Sequence, residues 1–145
     1  MKRVLVAVDG SENSLRALEF ALDLQKMCRD LQLTALYVGP SIYGMFPDSG
    51  LSSWIRQKDL DQEIEEKAQK ISEKIDEIAG RYGLSVEKAI ARGDAGAAIC
   101  KFAEEGEYDL VVVGTRGYGE VKSIVIGSVS HKVLHLCQCP VVVVK

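Results

Sequence analysis

Short β-branched runs alternate with helical stretches along the whole chain, and that alternation leaves few folds open. The first run is Val4-Leu-Val-Ala-Val8, which stops at Asp9-Gly10-Ser11. Runs follow at Leu33 to Val38, Leu84 to Ala91, Asp109 to Gly114 and Val141 to Val144. Runs of this kind, bounded by Gly, Pro and Asp, read as buried strands. Between them lie segments with apolar residues three and four apart, which read as amphipathic helices. Leu15, Leu18, Ala21, Leu22 and Met27 or Cys28 form one stripe, with Ser11 or Asn13 available as a cap. Ile64, Ala68, Ile71, Ile75, Ile78 and Tyr82 form a second, closed by Gly80 and Gly83. Asp94 is placed to cap a third helix running to about Glu105, and a fourth spans about Ser128 to Leu136.

The order βαβαβαβαβ, with strands apolar on both faces, requires a parallel sheet covered by helices on both sides. Crossovers are right-handed, so the expectation is a doubly wound α/β fold, strand order 3-2-1-4-5. A length of 145 residues suits a single domain over 1–145. The longest stretch without a period is 39–57, read as an irregular loop holding Tyr43, Phe46 and Trp54.

Composition removes several function classes. A content of 47% hydrophobic and 27% charged residues is globular rather than disordered. The strictly apolar run after Met1-Lys2-Arg3 ends at Asp9, too short for a signal peptide or a membrane span. A cytoplasmic protein is the expectation, with no membrane partner. The net charge of −3 argues against a broad nucleic-acid surface. In a reducing compartment Cys28, Cys100, Cys137 and Cys139 are expected to be thiols, with Cys28 and Cys100 as small core residues. His131 and His135 have a zinc-compatible spacing, but no third ligand is evident and they read as a surface pair. Arg92-Gly93-Asp94 reads as a strand end, a turn and an N-cap.

The chemistry concentrates in Gly114-Thr-Arg-Gly117-Tyr-Gly119 and the following Gly127-Ser128-Val-Ser130. Glycine permits close backbone approach, and a helix start offers unpaired N–H groups at the positive end of its dipole. Together they make an anion site, best suited to phosphate. Known phosphate loops do not fit: Glu120 follows Gly119 where a P-loop needs Lys, and Lys122 stands where a dinucleotide fingerprint needs Gly. Charge agrees with an anion, since residues 115–132 carry Arg116, Lys122 and Lys132 against Glu120.

The spacing G-x2-G-x9-G-(S/T) at Gly114, Gly117, Gly127 and Ser128 resembles the nucleotide-binding branch of the universal stress proteins. Asp9-Gly10-Ser11 after the first strand, Cys139-Pro140 and the valine-rich end are similar to that family too. The resemblance implies an ATP-binding stress-response protein with the nucleotide at the carboxyl ends of the strands. It implies Asp9 facing the ribose and phosphates through Mg²⁺ or Mn²⁺, backbone near Val38 holding the adenine, and Ala7 among the nucleotide contacts. It implies Gly114 at the ribose, Gly117, Gly127, Ser128, Val129 and Ser130 around the phosphates, and Thr115 among the nucleotide contacts. It also implies a homodimer through Val141 to Val144, an apolar edge that a soluble protein does not leave open. Tyr37 departs from the family's pattern, in which many members have His there, and this touches the adenine end. No nucleophile–base pair is evident, so a binder is the expectation. The alternatives are a weak ATPase and a dimeric interaction module without nucleotide.

Overall fold

The computed structural model describes residues 1–41, 51–115 and 126–145, with residues 51–56 described in their backbone alone. The elements are β1 (Arg3–Ala7), α1 (Glu12–Met27), β2 (Gln32–Gly39), α2 (Leu51–Tyr82), β3 (Glu87–Arg92), α3 (Ala95–Glu105), β4 (Leu110–Gly114), α4 (Ser128–Leu136) and β5 (Val141–Val144). All five strands run parallel, in the order β3-β2-β1-β4-β5. The expected fold class and strand order are those observed.

Each strand alternates between two cores, as the period of two demands. Val4, Val6, Leu33, Ala35, Leu110 and Val112 face α1 and α2, where Leu18, Leu22, Ile64, Ile71, Ile75 and Ile78 meet them. Leu5, Leu36, Val111 and Val113 face the opposite way, onto Ile99, Ala103 and Val133 of α3 and α4. The apolar stripe of α2 therefore covers the sheet rather than a partner helix.

Two expectations need correction here. Residues 51–57 are helical, so the irregular stretch is shorter than 39–57 and Trp54 lies within α2. The period is hard to read there, because Arg56, Gln57, Lys58 and Asp59 separate Leu51, Trp54 and Ile55 from the stripe that begins at Ile64. Tyr43 and Phe46 lie outside the described residues. The α1 stripe also ends earlier than expected: Met27 is 81% exposed, and Cys28, its C-cap, is exposed rather than in the core.

Crossovers α1 and α2 lie on one face, α3 and α4 on the other. The winding reverses between β1 and β4, and the carboxyl ends of those two strands open a crevice there.

Candidate functional site

Ala7 ends β1, and Asp9 follows it at the lip of the crevice. The Ser11 N–H donates to Asp9 Oδ1 at 2.9 Å, and the Asp9 N–H approaches Ser14 Oγ at 3.3 Å. Gly10, at φ 88°, makes the turn between them, a conformation that favours glycine. Ser11 then caps α1, accepting from the Ser14 N–H. Sequence reasoning offered Ser11 or Asn13 for that role; Ser11 fills it.

On the facing side, Gly114 ends β4 against α1. A Cβ on Gly114 would lie 2.7 Å from the Asn13 carbonyl oxygen, so helix and strand approach more closely than a side chain permits. Thr115 is buried, and its carbonyl gathers two donors from the start of α4. The Gly127 N–H reaches it at 2.5 Å and the Ser130 hydroxyl at 2.9 Å. These bonds aim the first turn of α4 into the crevice.

The crevice is lined by Ala7, Val8, Asp9, Ser11, Ser14, Leu36, Val38, Ala95, Ile99, Val113, Gly114, Gly127, Val129 and Ser130. Seven of the residues singled out in the sequence meet there: Ala7, Asp9, Val38, Gly114, Gly127, Val129 and Ser130. Thr115 stands behind them as a brace. Ser128, the first residue of α4, is exposed rather than part of the lining. Gly117, Arg116 and Lys122 lie outside the described residues. Lys132, counted toward a basic surround, is engaged by Asp94 at 2.9 Å.

Ser130 lines the crevice with its hydroxyl engaged inside the chain. It is 2% exposed and donates to the carbonyls of Thr115 and Gly127. Its role is to hold the turn. Tyr37 also resolves differently from its neighbour Val38. Its side chain is buried in the α1–α2 core, on the opposite face of the sheet from the crevice. Burial, then the nearby Asp9 carboxylate, push its phenol above the ordinary range.

Ala95 and Ile99 were missed in the sequence. The signal for them was topological: α3 begins just after β3 ends, so its first turn must rise at the same sheet edge. Three helix starts thus converge on the crevice. Ser11 closes that of α1, and Asp94 closes that of α3 by accepting from the Ala97 N–H. The N-cap of α4 is Gly127, which has no side chain to cap with, and no acidic residue stands in its first turn. The positive end of the α4 dipole therefore faces the crevice with no side-chain cap upon it.

Further features lie away from the site. Gly93, at φ 126°, turns the chain between Arg92 and the cap Asp94. His131 and His135 are exposed with ring centroids 4.5 Å apart. Among the described residues, no cluster of three or more His, Cys, Asp or Glu is arranged to hold a metal ion. Nor is any helix among them long and apolar enough to cross a membrane. The cysteines depart from expectation: Cys100 and Cys137 are joined as a disulfide, while Cys28 and Cys139 are free.

The profile of the Universal stress protein family matches residues 1–145. Universal stress protein YxiE of Bacillus subtilis is 34% identical, over 99% of this chain and 98% of that protein. The structure of hypothetical protein MJ0577 superposes with a TM-score of 0.84 at 26% identity, covering 99% of this chain and 95% of that one. More distant structures share the fold: one Arabidopsis thaliana family member has AMP bound (24% identity, TM-score 0.69), and another family member is in complex with cAMP (22%, 0.68). They cover 92% and 96% of those chains and at least 99% of this one. Profile and relatives span the whole chain: it belongs to the universal stress protein family.

Proposed function

We propose that this protein binds ATP in the crevice between β1 and β4 and acts as a nucleotide-dependent regulatory binder in the stress response. The observation that carries this reading is the start of α4, whose N-cap Gly127 offers no side-chain cap. Of the three helix N-termini at the crevice, it alone lacks a side-chain cap, and it is the one a phosphate chain would complete. Gly117, Gly127, Ser128 and Val129 are the phosphate contacts in this reading, with Ser130 and Thr115 holding the turn. Ala7 and Val38 frame the adenine, and Gly114 the ribose. The AMP and cAMP complexes of distant relatives support an adenine ligand.

Asp9 fits a divalent ion in the same reading. A carboxylate beside phosphates repels them unless a hard cation lies between, and Mg²⁺ or Mn²⁺ takes such oxygen ligands. The ion supplies charge neutralisation there; Ser11 holds the carboxylate in place.

The reading includes a homodimer through β5. Val141 to Val144 form an edge strand, half-buried in one chain, and Leu134 and Leu136 are exposed on the adjoining helix. An apolar edge of this kind favours pairing with a second copy.

Calorimetry with ATP and Mg²⁺ tests the binding, with Gly127→Val as the disabled control. Saturable heat that the variant abolishes is expected; no heat at millimolar nucleotide overturns the reading. Light scattering tests the dimer, and a mass of one chain overturns it.

A further inference from the structure

We propose that Cys100 and Cys137 are a reversible dithiol–disulfide pair that sets how firmly the first turn of α4 is held. The consequence for ligand affinity rests on the nucleotide reading above; the effect on α4 itself does not.

The helix α4 has little hold of its own. It has nine residues, of which Ser130 and Val133 are buried, and Leu134, Leu136 and Val129 are exposed. A helix so short depends on its tertiary ties. Beyond the bonds of Ser130 and Gly127 to Thr115, those ties run to α3. At one end the Lys132 ammonium donates to Asp94 at 2.9 Å, and Gly96 lets the helices close up: a Cβ there would lie 2.8 Å from Lys132 Cβ. At the other end Cys137, the C-cap of α4, is bonded to Cys100 of α3, with their Cα atoms 4.8 Å apart.

Both helices carry walls of the crevice. Cys100 directly follows Ile99, which lines it, and Cys137 ends the helix whose start is Gly127. Breaking the covalent tie frees the far end of α4 from α3 and leaves the helix held by the Lys132–Asp94 pair, buried Val133 and the Ser130 and Gly127 bonds to Thr115. Its first turn then moves more freely, and a ligand must order it on binding.

The reduced state is also accommodated. Cys100 Sγ lies 3.8 Å from the Val133 carbonyl oxygen, so a thiol at Cys100 already faces an acceptor. The pair is within reach of small thiols: Cys137 is only partly buried, and a cleft lined by Cys100, Glu104, Gln138 and Cys139 opens beside it. Cys139 shares that cleft, but burial raises its thiol above the ordinary range, which keeps it a poor competitor for the bond.

The reaction partner is a low-molecular-weight disulfide, RSSR. One cysteine thiolate attacks it and expels RS⁻, forming a mixed disulfide. The second cysteine thiolate attacks that bond at the protein sulfur and expels the other RS⁻. Two electrons pass from the cysteines to RSSR, and the two thiol protons end on two RSH molecules.

The test compares wild-type protein oxidised with glutathione disulfide and reduced with dithiothreitol, with the thiol state counted by mass spectrometry. Two readouts are taken: amide hydrogen exchange at residues 127–133, and calorimetric affinity for Mg²⁺–ATP. Slower exchange and about fivefold tighter binding are expected in the oxidised form. Cys100→Ser and Cys137→Ser should behave as reduced in either buffer, and Cys139→Ser as wild type. Exchange that responds while ATP fails to bind in either form upholds the cysteine pair and sinks the nucleotide reading. ATP binding with equal affinity and equal exchange in both forms overturns the pair. So does recovery of four free thiols after oxidation.

Discussion

The Ser130 hydroxyl donates to the Thr115 carbonyl oxygen at 2.9 Å, tying the first turn of α4 to the residue that follows β4. The Gly127 N–H shares that acceptor at 2.5 Å, so a backbone bond also ties the start of α4 to the residue after β4. Ser130→Ala removes one donor yet leaves the carbonyl partnered through Gly127. The loss is therefore that of one ordinary buried hydrogen bond, about 1 kcal/mol. Urea unfolding of the variant should show a lowered midpoint with an unchanged slope. Nucleotide affinity should fall with it, because the turn that bears the N–H groups loses a brace. A variant as stable as wild type would mean the hydroxyl does not hold the turn.

Gly114→Ala should be costlier than its size suggests. The added Cβ meets Asn13 backbone atoms at 2.7 Å, and backbone in the first turn of a helix has little room to give. Overpacking of this kind costs about 1–3 kcal/mol. The expected result is a loss of stability in that range together with weakened ligand binding, since the displaced turn of α1 carries Ser11 and Ser14 into the crevice wall. Gly80→Ala is the contrasting control: no heavy atom lies within 4 Å of a Cβ there, and it sits inside α2. Alanine at that site should be neutral or stabilising by about 0.5–1 kcal/mol.

The fold was legible because its elements are short and strongly patterned. Val4 to Val8 and Val141 to Val144 have no helical reading, and Ile64 to Tyr82 has no strand reading. The start of α2 was not legible because a charged stretch, Arg56 to Asp59, parts Leu51, Trp54 and Ile55 from the longer stripe, and helix propensity alone is a weak guide. At the site, Gly127 and Asp9 stood out by residue type. Ala95 and Ile99 carry no chemical signature; only the right-handed crossover brings them to the same edge. The Cys100–Cys137 contact was invisible for a different reason. Compartment arguments speak to redox state, while the approach of two sulfurs depends on how α3 and α4 pack, which Gly96 and Lys132 decide in three dimensions.

Acid should act on the α3–α4 contact through Asp94. The Lys132 ammonium, and after it the Ala97 N–H, hold this carboxyl below its ordinary value. The folded state then releases its proton more readily than the unfolded chain does. The stabilisation is present in full above the unfolded value of about 3.9, and is lost as pH falls through the lower folded value. The side chain is 55% exposed, so water screens the pair and its charge contributes under about 1 kcal/mol. Asp94→Asn keeps an effective N-cap but removes the charge. Between neutral pH and about pH 3, wild type should lose more stability than Asp94→Asn, measured as the shift of urea midpoints. Parallel acid curves for the two proteins would show that the pair with Lys132 contributes nothing measurable.

The Cys100–Cys137 bond should also contribute to global stability, apart from any effect on a ligand. The two residues are 37 apart in sequence, and the loop they close includes β4 and all of α4. Closing a loop of this length removes unfolded-state freedom worth between about 3 and about 4.7 kcal/mol. For a chain of this size each kcal/mol moves the melting midpoint by about 2–4 °C, so reduction should lower it by about 10 °C. Wild type in dithiothreitol and Cys100→Ser in either buffer should melt together at the lower midpoint. Cys28→Ser should melt with oxidised wild type, because Cys28 is exposed at the end of α1 and takes no part in the bond. If reduced and oxidised wild type melt at the same temperature, the covalent tie does not constrain the unfolded chain in the way its loop length demands.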